Sequence, residues 1–408
     1  MSPVSRGRKP KKKVARKKQP LDEEVREAFE SVLEDFAKVS DSTDALDVEL
    51  LVSGSLGSWW HPGQPEQVNR LLGFPLISCA ARTGTRAGLG LLRGMQALGV
   101  TGEQRERARA AADRLAAEGV SEPAWEPMLR EVTVTECWQE ADVYGDRSAL
   151  LLICDRAGRR HGLVVKIDFN GDGLTDAFLT AEPDAVLSDL RGNKFTTTGQ
   201  VSLPRARRII EDAIETNDFV LSLFDKPQPA DPLTEPRAYL MARLRAMPPA
   251  EPHPEPHPEP TTYSDADRDD IVRQFFAETD ANDDPDAREL ARYIVDHGCD
   301  EDAGRPLRVG PRKFAIIVGD IEHTPDLHEL IASLPDVLTR WARWAGAKSG
   351  LSEAAVERLL EAVEEIIEDL DEPRYDDWDD DEFDFDDEFE PHDDVPIALR
   401  GNGPRYGG

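Results

Sequence analysis

The sequence predicts an α+β protein with a helical N-terminal domain, a small antiparallel sheet with helices on a face, a helical C-terminal domain and disordered charged tails. Three observations carry that expectation. Apolar residues recur at helical spacing from Leu21 onward, the period switches to two near Glu131, and helical spacing returns after alternating prolines between Met247 and Pro260.

At 408 residues the chain is long enough for two or three domains with cores of their own, and a hydrophobic content of 39% leaves room for extended segments. A formal net charge of -32 repels nucleic acid and anionic membranes in general, so any contact with phosphate has to be local. Cys79, Cys137, Cys154 and Cys299 are scattered without a CxxC pair, which points away from zinc frameworks and disulfide scaffolds and toward a reducing cytoplasm. No apolar run reaches the roughly 18 residues that span a bilayer, so no membrane partner is expected. Arginine outnumbers lysine beyond the first twenty residues, a usage that suggests a bacterial source.

Taken in order, residues 1–20 form a basic arm with nine Lys or Arg, no acid and no apolar periodicity, the composition of a disordered segment. Residues 21–128 read as the helical domain: Leu21, Val25, Phe29, Val32 and Phe36 mark a first amphipathic helix, with further helices expected at 43–53, 65–73, 76–98 and 102–118. Trp59 and Trp60 fall at a break between helices. Residues 129–246 read as the α+β domain, four short strands in a meander followed by helices in "PDAVLSDLRG" and "LPRARRIIEDAIETND". Residues 247–262 form a polyproline linker, and 263–370 a second helical domain capped at Ser264 or Asp265, with helices at 286–297, 326–346 and 352–370. "PRKFAIIVGDI" at 311–321 is compatible with strand or helix. Residues 371–408 close the chain as an acidic-aromatic disordered tail; fifteen carboxylates lie between 371 and 394.

The segment "DFNGDGLTDAF" has the look of a cation loop. In an EF-hand frame Asp168, Asn170, Asp172 and Asp176 fall on ligand positions, but the twelfth position is Leu179 where calcium needs a bidentate Glu. The nine-residue form resembles the calcium loops of β-propeller repeats. Two readings stay open: a hairpin turn built on Asn170-Gly171 and Asp172-Gly173, or a weak Ca²⁺ or Mg²⁺ site on the four oxygen-bearing side chains. "AGLGLLRG" at 87–94 misses the dinucleotide fingerprint and reads as a close helix contact, Gly298 in "DHGCDED" reads as a helix C-cap, and His253 and His257 lie too far apart on an extended chain to share a metal. No G-x-S-x-G, P-loop or HExxH motif occurs, and His161 has no evident nucleophile beside it.

"GLVVKIDFNGDGLTDAFL", "ARYIVDHGCDEDAGRPLRV" and "LPDVLTRWARWAGAKSGLSEAAVERLLEAVEE" resemble a family of uncharacterised actinobacterial proteins with no assigned activity. The resemblance covers the middle and C-terminal thirds and implies a bacterial origin without a function.

The tails carry the sharper expectation. Arg6, Arg8, Lys9, Lys11, Lys12, Lys13, Arg16, Lys17 and Lys18 can neutralise phosphates and bind nucleic acid without sequence preference. Tyr375, Trp378, Phe383, Phe385 and Phe389, set among carboxylates, offer apolar anchors to a basic protein partner. The expected function is therefore a non-enzymatic intracellular interaction protein; the alternative is an enzyme of unidentified reaction, or a divalent-cation-binding protein, using the 168–176 loop.

Overall fold

The structure is a computed structural model that describes residues 23–42, 44–57, 65–171, 173–223, 233–253 and 262–371. The N-terminal helices are α1 (Glu23–Val39), α2 (Ala45–Gly57), α3 (Pro65–Val68), α4 (Phe74–Thr83), α5 (Arg86–Leu98), α6 (Gly102–Ala117) and α7 (Glu126–Arg130). Their apolar stripes close on one core around Phe29, Phe36, Leu76, Leu92 and Trp125. A single helix was expected over 76–98, but Gly84 takes a left-handed φ of 61° and ends α4. The Thr85 hydroxyl then accepts the Gly88 N–H at 3.1 Å and starts α5 afresh. The small residues of α5 do allow a close contact: a Cβ added at Gly94 would stand 2.5 Å from a methyl of Val52 on α2.

The sheet has five antiparallel strands in the order β4-β3-β2-β1-β5. These are β1 (Val132–Asp142), β2 (Arg147–Arg156), β3 (Arg159–Asp168), β4 (Gly173–Thr180) and β5 (Thr196–Val201). The fifth strand was not expected, because "TTTGQV" is polar and open to solvent on this edge and shows no apolar alternation. Helices cover both faces where one was expected. α8 (Pro183–Leu190) packs on Leu151, Ile153 and Val164, while α9 (Leu203–Ser222) and α10 (Arg237–Ala246) pack on Leu150, Leu152, Leu163 and Val165. This two-sided burial explains why β2 reads as the continuous apolar run "ALLLI".

α10 serves two cores at once. Ala238 belongs to the N-terminal helical core, whereas Tyr239, Leu240 and Leu244 belong to the sheet core. After it, the chain runs back along α9: Arg207 donates to the Met247 and Pro248 carbonyls, each at 3.2 Å, and Arg208 to the Glu251 carbonyl at 3.1 Å. Proline carbonyls remain good acceptors where no N–H competes, so arginines are apt partners for such a segment.

The C-terminal helices are α11 (Asp265–Glu278), α12 (Pro285–Asp300), α13 (Pro311–His323), α14 (Leu334–Lys348) and α15 (Glu353–Asp371), with a 3-10 turn at Pro325–Ser333. Ser264 and Asp267 form a reciprocal capping box at the start of α11. Residues 311–321 are helical. α12 continues two residues beyond Gly298, so that glycine is not its cap; a Cβ there would lie 2.5 Å from Pro306 Cα, and the missing side chain admits the returning loop. The core is aromatic, with Phe275 4.9 Å from Trp341 and 5.5 Å from Trp344. Among the described residues no helix is long and apolar enough to cross a membrane.

Candidate functional site

The turns at one end of the sheet hold two of the buried acids, Asp146 and Asp168. In the β1–β2 turn, Asp142 Oδ1 accepts the backbone N–H groups of Tyr144 and Asp146 at 2.9 and 3.0 Å, which fixes a tight loop around Gly145. In the β3–β4 turn, Asp168 Oδ1 accepts the Asn170 N–H at 2.6 Å, and Gly171 and Gly173 take positive φ of 130° and 73°. Gly173 also lies so close to the carbonyl of Ala213 on α9 that a Cβ would sit 2.6 Å from it. The two turns are tied together where Phe169 N–H donates to the Asp146 carbonyl at 2.8 Å.

Two arginines of the C-terminal region, Arg308 in the loop before α13 and Arg312 in its first turn, fill this corner. Arg308 Nη1 donates to Asp146 Oδ1 at 2.6 Å and to the Gly145 carbonyl at 3.2 Å, while its Nη2 donates to Asn170 Oδ1 at 2.5 Å. Arg312 Nε lies 3.2 Å from Asp168 Oδ2. Asp146 Oδ2 also accepts the Arg312 backbone N–H at 3.0 Å. That carboxylate caps α13 from a distant strand turn, replacing the side chain that its N-cap residue, Gly310, lacks. A Cβ at Gly310 would run into the same carboxylate.

The arrangement decides what the loop oxygens do here. Guanidinium groups satisfy Asp168 and Asn170, and Asp176 stands on β4 in an exposed pair with Lys166 at 3.1 Å. Asp172 lies outside the described residues. Among the described residues no three His, Cys, Asp or Glu side chains are grouped to hold a metal ion.

Behind Arg308 is a buried anchor. Asp302 Oδ2 accepts from Arg308 Nε at 2.6 Å and from Lys313 Nζ at 2.9 Å, and Lys313 gives its other donors to the Arg305 and Arg308 carbonyls. Burial pushes the Lys313 amine down, opposed by Asp302. For Asp302 burial acts upward, but Arg308 and Lys313 outweigh it and hold the carboxyl below its usual range.

A second charged cluster joins the N-terminal helices to the sheet. Glu49 of α2 receives Arg243 of α10 through two bonds of 2.6 and 2.7 Å, and Arg156 of β2 also donates to it. Burial would raise the Glu49 carboxyl, yet the two arginines bring it below the usual range. His161 Nε2 lies 3.1 Å from Arg243 Nη2, so the neutral ring accepts. Its desolvation, with Arg243 and Arg156 beside it, pushes the imidazole down to about 4.

This sets a pH dependence. A folded pKa below the unfolded value means that stability is full above about 6.5 and is lost as pH falls toward 4, because only the unfolded state takes the proton. The expected loss from His161 is about 3 kcal/mol. Urea midpoints of wild type and His161→Gln between pH 7 and 4.5 check it: the wild-type decline should shrink in the variant, with a remainder from His297, whose imidazole burial also lowers. Equal slopes would count against a neutral, buried His161.

The other residues singled out from sequence fall elsewhere. The basic residues Arg6, Arg8, Lys9, Lys11, Lys12, Lys13, Arg16, Lys17 and Lys18, the aromatic residues Tyr375, Trp378, Phe383, Phe385 and Phe389, and Trp59, Trp60 and His257 lie outside the described residues. His253 lies 3.3 Å from Arg208. Cys137, Cys154 and Cys299 are free and buried, and desolvation pushes the Cys137 thiol up to about 12, which makes it a poor nucleophile. Sequence reasoning missed Asp146, Arg308, Arg312, Glu49 and Arg243, whose roles depend on partners far along the chain. No family model, curated protein or solved structure matches this chain.

Proposed function

We propose that the chain is a non-enzymatic interaction protein whose folded body presents two oppositely charged segments to other molecules. The observation that supports this reading is how the body spends its buried chemistry. Glu49, Asp146 and Asp168 are each held by guanidinium groups in joints between parts of the fold, and Asp302 is held by Arg308 and Lys313 directly behind one of them. A divalent cation at 168–176 would have to displace Arg308 and Arg312 from the same oxygens, which weighs against the cation-dependent alternative.

The arm at 1–20 then contacts phosphate backbones through its nine positive charges, and the acidic-aromatic segment at 371–408 takes a basic protein surface. Two weak contacts on one body act together through effective concentration. Binding to mixed-sequence DNA and RNA across a salt series tests the arm, comparing the full chain with one lacking residues 1–20. The expected result is binding whose log K falls by about 0.9 per neutralised phosphate per tenfold salt on duplex DNA, and which disappears on truncation. Equal binding by both proteins, or none at low salt, would remove nucleic acid from the proposal.

A further inference from the structure

The two joints of the fold are built differently. On the N-terminal side, α10 lies between the sheet and the first helices and contributes side chains to both cores. Among the described residues no helix or strand packs extensively on another across the other joint; hydrogen bonds run through the β1–β2 and β3–β4 turns on one side and residues 305–313 and α15 on the other. The C-terminal helices close their own core, and among the described residues Tyr144 is the one buried side chain in it that comes from outside 262–371. Its hydroxyl donates to the Ala355 carbonyl at 2.9 Å. Beside this plug is an open cleft of about 430 Å³, lined by Val143, Tyr144, Tyr263, Arg305, Leu307 and Leu351. The joint is therefore polar, narrow and incompletely packed, whereas interiors that move as one body are densely filled.

We propose that residues 262–371 are a separately closing module, docked on the sheet by the Arg308 and Arg312 latch and the Tyr144 plug, and that they open and close as a unit. Opening uncovers Val143 and Tyr144 on the sheet side and Leu307 and Val309 on the module side, while the rest of each core stays shut. The latch acceptors belong to the sheet turns, so they can be altered without substituting a residue of the module. This inference stands apart from the proposed binding function and survives its failure.

Hydrogen exchange of the full chain tests it. In Asp146→Ala, which removes one acceptor of Arg308 and the carboxylate acceptor of the Arg312 amide, peptides over 143–147 and 304–313 should exchange about tenfold or more faster. Peptides in the middle of β2, β3 and α14 should keep their wild-type rates. Tyr144→Phe deletes one hydroxyl and keeps the ring, and it should accelerate the same two regions less; it decides the question if Asp146→Ala does not fold. Acceleration spread equally over β2, β3 and α14, or none at the two joint regions, would overturn the proposal.

Discussion

Replacing Glu49 by Gln is expected to lower stability by about 3–5 kcal/mol, among the largest single losses available in this fold. Gln keeps the shape of the side chain and removes only its charge. Arg243 and Arg156 would then face each other as uncompensated cations, at 1% and 4% exposure, with no solvent to screen them. The site has no slack for this, because Arg243 Nε and Arg156 Nε and Nη1 already lack hydrogen-bond partners. The urea midpoint should drop at unchanged slope, since the same surface is exposed on unfolding. A loss below about 1 kcal/mol would mean that the two arginines find another counter-charge, and the account of this joint would have to change.

The second large effect is expected at Asp302→Asn, again about 3–5 kcal/mol near neutral pH. Lys313 is fully buried, and Asp302 is its anionic partner at 2.9 Å. Without that carboxylate, desolvation drives the amine further toward its neutral form, so the folded pKa falls still lower. A depressed folded pKa costs stability at pH values where the unfolded amine is protonated, and the cost fades as pH rises toward the unfolded value of about 10.4. The gap between variant and wild type should therefore narrow between pH 7 and 9.5 in paired urea titrations. A gap that does not change with pH would show that the loss comes from packing or from Arg308 and not from the stranded amine.

The legible part of the sequence was its local part. Helices with wide apolar stripes, such as α1 and α12, and strands with strong apolar content, β2 and β3, follow from spacing of side chains within a few residues. β5 was hidden because its stability comes from backbone bonds to β1 and not from its own threonines. Gly298 was misread because a helix stop and a close approach of another loop both call for glycine, and only the fold distinguishes them. The acidic loop shows the same limit in chemistry. The loop shows Asp168 and Asn170 as two of four oxygen-bearing side chains for a cation, but the residues that pair with them, Arg308 and Arg312, lie more than a hundred positions away, and nothing local marks them.

The shared helix α10 also fixes an order of events during synthesis. The N-terminal helices leave the ribosome first, yet their core needs Ala238, and Glu49 needs Arg243, which follows it by 194 residues. At cellular elongation rates that gap lasts roughly 10–40 s, during which Glu49 has at most Arg156 of its two arginine partners and faces an incomplete interior. The first helices to be made are thus among the last to be sealed, and a nascent chain halted before residue 243 would present an open, acid-bearing apolar face to whatever chaperones wait at the exit.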